Sequence, residues 1–222
     1  MGHWIELRPE GAGPIRAWRA NPEGRPRGAI VVIQEIFGVN AHIRAVTNRF
    51  AVDDYLAIAP AVFDHVEPGF DVGYDAESRG RGIALVGKID REQTMRDVAA
   101  TIDVAKQGGK VGVVGYCFGG SIAWAAACTL PHLSAAVGYY GVQILAMKDM
   151  QRRVPTMLHF GEKDQHIPIA GVRELAALHP DVQVYTYPAG HGFNCDQRES
   201  FDAPSAALAW TRTLEFFRKH LG

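Results

Sequence analysis

The segment Gly115-Tyr116-Cys117-Phe118-Gly119-Gly120 sets a cysteine among glycines. The run before it, Lys110 to Val114, is rich in β-branched apolar residues and reads as a buried strand. The run after it, Ser121 to Thr129, is rich in alanine and reads as a helix. A nucleophile at such a strand-to-helix junction forms the turn called a nucleophile elbow. The turn is too sharp for side chains at the flanking positions, which explains the glycines. It also aims the first amides of the helix at a developing oxyanion. The competing reading is a core thiol in a glycine-rich turn, because free cysteine is among the most buried residue types.

Two further residues stand in the order that such a thiol requires. Val154 to Phe160 reads as a buried strand and is followed by Asp164; Val182 to Tyr187 reads as the last strand and is followed by His191. The order nucleophile, acid, histidine is that of the α/β-hydrolase fold. Each group falls just past a strand's C-terminal end, where open parallel sheets place their sites. Taken alone, Asp164 fits equally a cap for a helix starting near Ile169, and His191 is one of nine histidines. A fourth group, Glu35, ends the early strand Ala29 to Gln34. It fits a turn residue that helps start the next helix, or a carboxylate close to the elbow. Burial beside Cys117 would raise its pKa, and a thiolate neighbour would raise it further.

The elements needed to position these groups alternate along the chain. Asn40 can cap a helix over roughly His42 to Val52, Tyr55 to Ala59 is the next strand, and Arg91 to Lys106 has helical spacing ended by Gly108-Gly109. Pro60 to Gly87 lacks clean periodicity and reads as a partly helical excursion over the sheet. Leu208 to Leu221 closes the chain as an amphipathic helix. The expected class is therefore α/β, with a mostly parallel central sheet covered on both faces. The 222 residues fit a single domain spanning 1–222.

Composition narrows the function classes. A formal net charge of −1 argues against nucleic acid as a partner. No stretch approaches the roughly 20 apolar residues of a membrane span, and residues 1–6 lack the pattern of a signal peptide. Three cysteines without paired spacing fit a reducing, cytoplasmic setting. No cofactor or metal is called for. A pairing of His191 with Cys195 as metal ligands would need a helix, which Gly190 and Gly192 oppose. Cys195 reads as a buried or pocket-lining thiol, and Cys128 as a helix core residue.

The segments QEIFGVN (34–40), VGYCFGG (114–120), AVGYYG (136–141), GEKDQHIP (161–168) and AGHGF (189–193) resemble the dienelactone hydrolases, also called carboxymethylenebutenolidases. The resemblance spans nearly the whole chain. It implies catalytic roles for Cys117, Asp164 and His191, with Glu35 interacting with the resting thiol. It also implies oxyanion amides at Ile36 and Phe118. The family's two carboxylate-binding arginines match less well. One falls on Arg79, with Arg81 a close alternative; the other falls at about Cys195, where Arg198 is the nearest cation. Ile83 and Val86 stand where the family lines its pocket with aromatic side chains.

The expected activity is hydrolysis of a small activated ester or lactone through a thioester, most simply a dienelactone opened to an oxo-dicarboxylate. A general small-ester carboxylesterase and a catalytically silent ligand-binding α/β-hydrolase are the alternatives. The expected partner is a small-molecule substrate, with the protein a monomer or homodimer.

Overall fold

The computed structural model describes residues 2–222 and contains one eight-stranded sheet. The strands are β1 (His3–Leu7), β2 (Ile15–Ala20), β3 (Gly28–Ile33), β4 (Tyr55–Pro60), β5 (Val111–Tyr116), β6 (Leu133–Tyr139), β7 (Thr156–Gly161) and β8 (Gln183–Tyr187). Their order across the sheet is β1-β2-β4-β3-β5-β6-β7-β8. Pairings β1–β2 and β2–β4 are antiparallel, and all others are parallel. The helices are α1 (Ala41–Val52), α2 (Ala76–Val86), α3 (Arg91–Ala105), α4 (Phe118–Thr129), α5 (Ile169–Leu178) and α6 (Ala203–Leu221).

Strand β3 shows why helices cover both faces. All six of its residues are buried, and Ala29 to Ile33 alternate between two apolar clusters. Ile30 and Val32 pack with Ile43 and Phe50 of α1 and Phe217 of α6; Val31 and Ile33 pack with Val98 and Ile102 of α3. A strand apolar at every position belongs in the middle of a parallel sheet. The neighbouring pair β3 and β5 therefore holds Glu35 and Cys117 at adjacent strand ends.

Several boundaries differ from the sequence expectation. Helix α4 begins at Phe118, directly after the cysteine, and not at Ser121. Gly119 and Gly120 lie inside its first turn because that turn presses on neighbouring backbone. A Cβ on Gly119 would strike the carbonyls of Ile33 and Gln34, and one on Gly115 would strike the carbonyl of Gly119. Helix α6 begins at Ala203, where the Asp202 carboxylate accepts from the Ser205 amide, five residues before Leu208. Within the 60–87 excursion, α2 is capped by Asp75, whose side chain accepts from the Ser78 amide. Asp164 does not cap α5; Pro168 occupies that position without a side-chain bond.

Gly119→Ala should cost about 3 kcal/mol by forcing backbone apart in a packed turn. For a chain of this length that corresponds to a melting temperature ~6–12 °C lower. An unchanged melt would contradict the close packing described for this turn.

Candidate active site

Cys117 sits between β5 and α4 with φ 53° and ψ −115°, a left-handed conformation rare for a residue with a Cβ. Its amide donates to the Tyr139 carbonyl at 3.0 Å, which ties the strained turn to β6. The Phe118 amide lies in the first turn of α4, where main-chain donors lack intrahelical acceptors. Ile36 follows Glu35, and α2 packs onto it so closely that a Cβ on Gly82 would overlap the Ile36 carbonyl.

His191, in the loop after β8, reaches across the strand ends. Its Nε2 lies 3.1 Å from Cys117 Sγ, and its Nδ1 lies 2.7 Å from Asp164 Oδ2. The other oxygen of Asp164 accepts the His166 amide at 2.8 Å. The rings of Tyr140 and His166 meet that of His191 edge-on, at 5.1 and 5.2 Å between centroids. Burial alone would lower the pKa of His191. Hydrogen bonds to Asp164 and Cys117, with the charges of both, outweigh burial and push it up to about 9. An imidazole of raised basicity facing a thiol favours proton transfer from sulfur.

Glu35 is completely buried. Its Oε1 accepts from Arg198 Nη1 at 3.1 Å and its Oε2 accepts from the Tyr74 hydroxyl at 3.2 Å. Both carboxylate oxygens are thus engaged on partners other than the thiol, and Cys117 is left to His191. Arg198 lies over the rings of Phe37 and Tyr74. Cys195 is fully buried beside this pair, and burial together with the charge of Glu35 pushes its thiol up to about 12. It is a neutral side chain at neutral pH. Tyr74 and Tyr140 are likewise held as neutral phenols, chiefly by burial.

The three arginines singled out in the sequence go three separate ways. Arg198 pairs with Glu35, Arg81 pairs with Glu67 at 2.7 Å, and Arg79 Nη2 lies 3.5 Å from His166 Nε2. Ile83 is exposed on α2, and Val86 lines a small cavity with Phe118, Ser121 and Gln143. His191 and Cys195 do not form a ligand pair, since both nitrogens of His191 are taken by Asp164 and Cys117. Cys195 instead clusters with His42 and Asp196.

The sequence reading missed Tyr74, His166 and Tyr140 as parts of the site. Tyr140, at φ 38°, and His166, two residues past Asp164, both fall in segments already singled out there. Nothing in the sequence near Tyr74 points to Glu35.

The profile of the Dienelactone hydrolase family matches residues 15–221. The chain belongs to the dienelactone hydrolase family. A carboxymethylenebutenolidase from Pseudomonas putida is 33% identical, covering 88% of this chain and 87% of its own length. A relative from Synechocystis named for the same activity is 36% identical, covering 86% of each chain. A Klebsiella pneumoniae crystal structure described as a dienelactone hydrolase superimposes with a TM-score of 0.85 at 28% identity, covering 99% of this chain and 100% of its own. A metagenomic dienelactone hydrolase-like promiscuous phosphotriesterase shares the fold, with a TM-score of 0.82 at 24% identity, covering 100% of this chain and 99% of its own. The protein is thus a member of a hydrolase family, with the family's α/β-hydrolase-like fold. No helix among the described residues is long and apolar enough to cross a membrane.

The raised His191 value has a definite sign for stability. The folded-state pKa of about 9 lies above the ordinary 6.5. Protonated His191 therefore stabilises the fold fully below pH ~6.5, and that contribution is lost as pH rises through about 9. In an NMR titration the His191 ring should show a midpoint near 9. Cys117→Ala and Asp164→Asn should each lower it; a midpoint indifferent to both would contradict the coupling.

Proposed function

We propose that this protein hydrolyses a small activated ester or lactone, with Cys117 as nucleophile. The observation that carries the reading is the unbroken chain from Asp164 through His191 to Cys117, at 2.7 and 3.1 Å. His191 takes the thiol proton while Asp164 fixes the tautomer that leaves Nε2 facing sulfur. The thiolate attacks the ester carbonyl, and the amides of Ile36 and Phe118 receive the oxyanion. Loss of one such donor costs about 2.7–4 kcal/mol of transition-state stabilisation. Collapse breaks the carbon–oxygen bond, leaving an acyl thioester on Cys117 and an alkoxide or enolate. The leaving oxygen takes the proton from His191. The neutral imidazole then takes a proton from water, whose oxygen attacks the thioester and expels the thiolate. Side chains and water supply every step.

Activated esters suit this arrangement. A thiolate is a better leaving group than a simple alkoxide, so attack is productive when the expelled oxygen is itself stabilised, as in an enol lactone. The family and the carboxymethylenebutenolidase names of its relatives favour a dienelactone opened to an oxo-dicarboxylate. Arg79 is the arginine available for the lactone's carboxylate, while Arg198 is held by Glu35. Glu35 stands ready to accept a proton if substrate draws Arg198 away. One observation favours the broader reading, a carboxylesterase for small esters: the α2 residue Ile83 offers an exposed apolar side chain at 57% accessibility where the family carries an aromatic one.

Cys117→Ala should reduce hydrolysis of an activated aryl ester by at least about 10⁴-fold. Its melting temperature should stay within ~2 °C of the wild type. Retained turnover in that variant would overturn the nucleophile assignment. Arg79→Ala should raise KM for the anionic lactone and leave that for a neutral aryl acetate unchanged. Equal effects on both would remove the dienelactone preference and leave the broader esterase.

A further inference from the structure

The geometry points to a binding site for a borderline-soft divalent cation of the zinc class, formed by His42, Cys195 and Asp196. A ring nitrogen of His42, the sulfur of Cys195 and a carboxylate oxygen of Asp196 all lie within 4.8 Å of one another. His42 comes from the first turn of α1, and the other two from the loop after β8. None of the three belongs to the Asp164–His191–Cys117 chain, so binding of the ion is independent of the ester chemistry proposed above.

Two features set the cluster apart from an ordinary hydrogen-bonded histidine. His42 is buried, with its Nδ1 3.1 Å from Asp196 Oδ1, while its buried Nε2 has no hydrogen-bond partner among the described residues. A buried polar atom without a partner is costly, and the ring keeps capacity for a ligand. Cys195 is fully buried as well, yet it belongs to neither apolar cluster. Turn bonds fix its position. Its amide donates to the Gly192 carbonyl at 3.0 Å, and its carbonyl accepts from the Arg198 amide at 3.1 Å.

The donor set selects the ion. One thiolate, one imidazole and one carboxylate suit Zn²⁺ or Co²⁺, whereas Mg²⁺ and Ca²⁺ take oxygen ligands. Around a tetrahedral Zn²⁺ the donor atoms stand roughly 3.3–3.8 Å apart. Nδ1 and Oδ1, at 3.1 Å, are already near that spacing, and the exposed Asp196 side chain can rotate to complete the set. Three protein ligands leave a fourth position for water. His42 and Asp196 line a surface cavity of about 250 Å³, which gives that water room and the ion a way in. Arg49 lines the same cavity, but its guanidinium is stacked on Trp210, 3.8 Å from the ring centroid. On binding, the S–H bond of Cys195 breaks, a sulfur–metal bond forms and the proton passes to solvent. With a neutral imidazole, the thiolate and the Asp196 carboxylate balance the two charges of the ion.

Titration of the full chain with Co²⁺, after treatment with EDTA and dialysis, tests the site. A thiolate bound to Co²⁺ gives a near-ultraviolet charge-transfer band that nitrogen and oxygen ligands do not. The wild type should develop this band up to one equivalent, and added Zn²⁺ should remove it. The band should persist in Cys117→Ala and vanish in Cys195→Ser. Asp196→Asn, an exposed substitution that leaves the core untouched, should weaken Co²⁺ binding by at least about tenfold. A wild type without the band, loss of the band in Cys117→Ala, its survival in Cys195→Ser, or unchanged affinity in Asp196→Asn would each overturn the proposal. Thermal melting gives a second readout. Zn²⁺ at about 100 times its Kd should raise the wild-type melting temperature by about 5–10 °C. His42→Gln should lose that rise, and an equal rise in the variant would contradict the site.

Discussion

In the proposed reaction a single hydrogen bond, between the His191 imidazole and the Cys117 thiol, carries the chemistry, and much of the fold serves to make that bond possible. The two residues are 74 positions apart and are brought together by the parallel sheet. Strand β5 delivers the thiol at its C-terminal end, and the loop after β8 returns the imidazole from the far side of β6 and β7. Between them β7 supplies Asp164, whose two oxygens are divided between orienting His191 and fixing the His166 amide. The sulfur can face the imidazole because Cys117 adopts φ 53°, and that conformation holds because glycines at 115 and 119 let β5 and α4 meet backbone to backbone.

The second constraint is the complete burial of the Glu35 carboxyl group. A carboxylate taken out of water needs partners, or it takes up a proton and loses its charge. Here Arg198 and Tyr74 supply one hydrogen bond to each oxygen. With both oxygens engaged in this way, the Cys117–His191 contact stands apart from Glu35. Arg198 reaches Glu35, and Cys195 lies buried beside the pair.

Much of this was legible from residue types. Strands β3, β4, β5, β7 and β8 are each expected from the sequence, β3 and β5 most clearly from their β-branched apolar residues. Cys117, Asp164 and His191 each follow one of them, and the structure brings these three together. Strand β6 was not anticipated as a strand because Leu133-Ser134-Ala135-Ala136-Val137-Gly138-Tyr139 is rich in small residues of low strand propensity; its small side chains fit the close approach of α4. The antiparallel edge β1–β2 was not anticipated, since its half-exposed residues carry charges and no continuous apolar run. The sequence places the start of α4 too late because Gly119 and Gly120 read as part of the sharp turn, whereas close backbone contact demands them in the first turn of the helix. Side-chain pairing was the least legible level. That Arg198 would meet Glu35, Arg81 would meet Glu67 and Arg79 would approach His166 depends on the path of two irregular segments, 60–75 and 188–202, which have no periodicity to read.

The most direct test of the central claim is to alkylate the protein with iodoacetamide, map the modified cysteines by peptide mass, and follow ester hydrolysis on the same samples. Cys128 and Cys195 are buried and hold their protons, so they serve as internal controls. Activity should fall in step with carbamidomethylation of Cys117, at a rate that drops when His191 is replaced by alanine. Complete modification of Cys117 with hydrolysis undiminished would contradict the account.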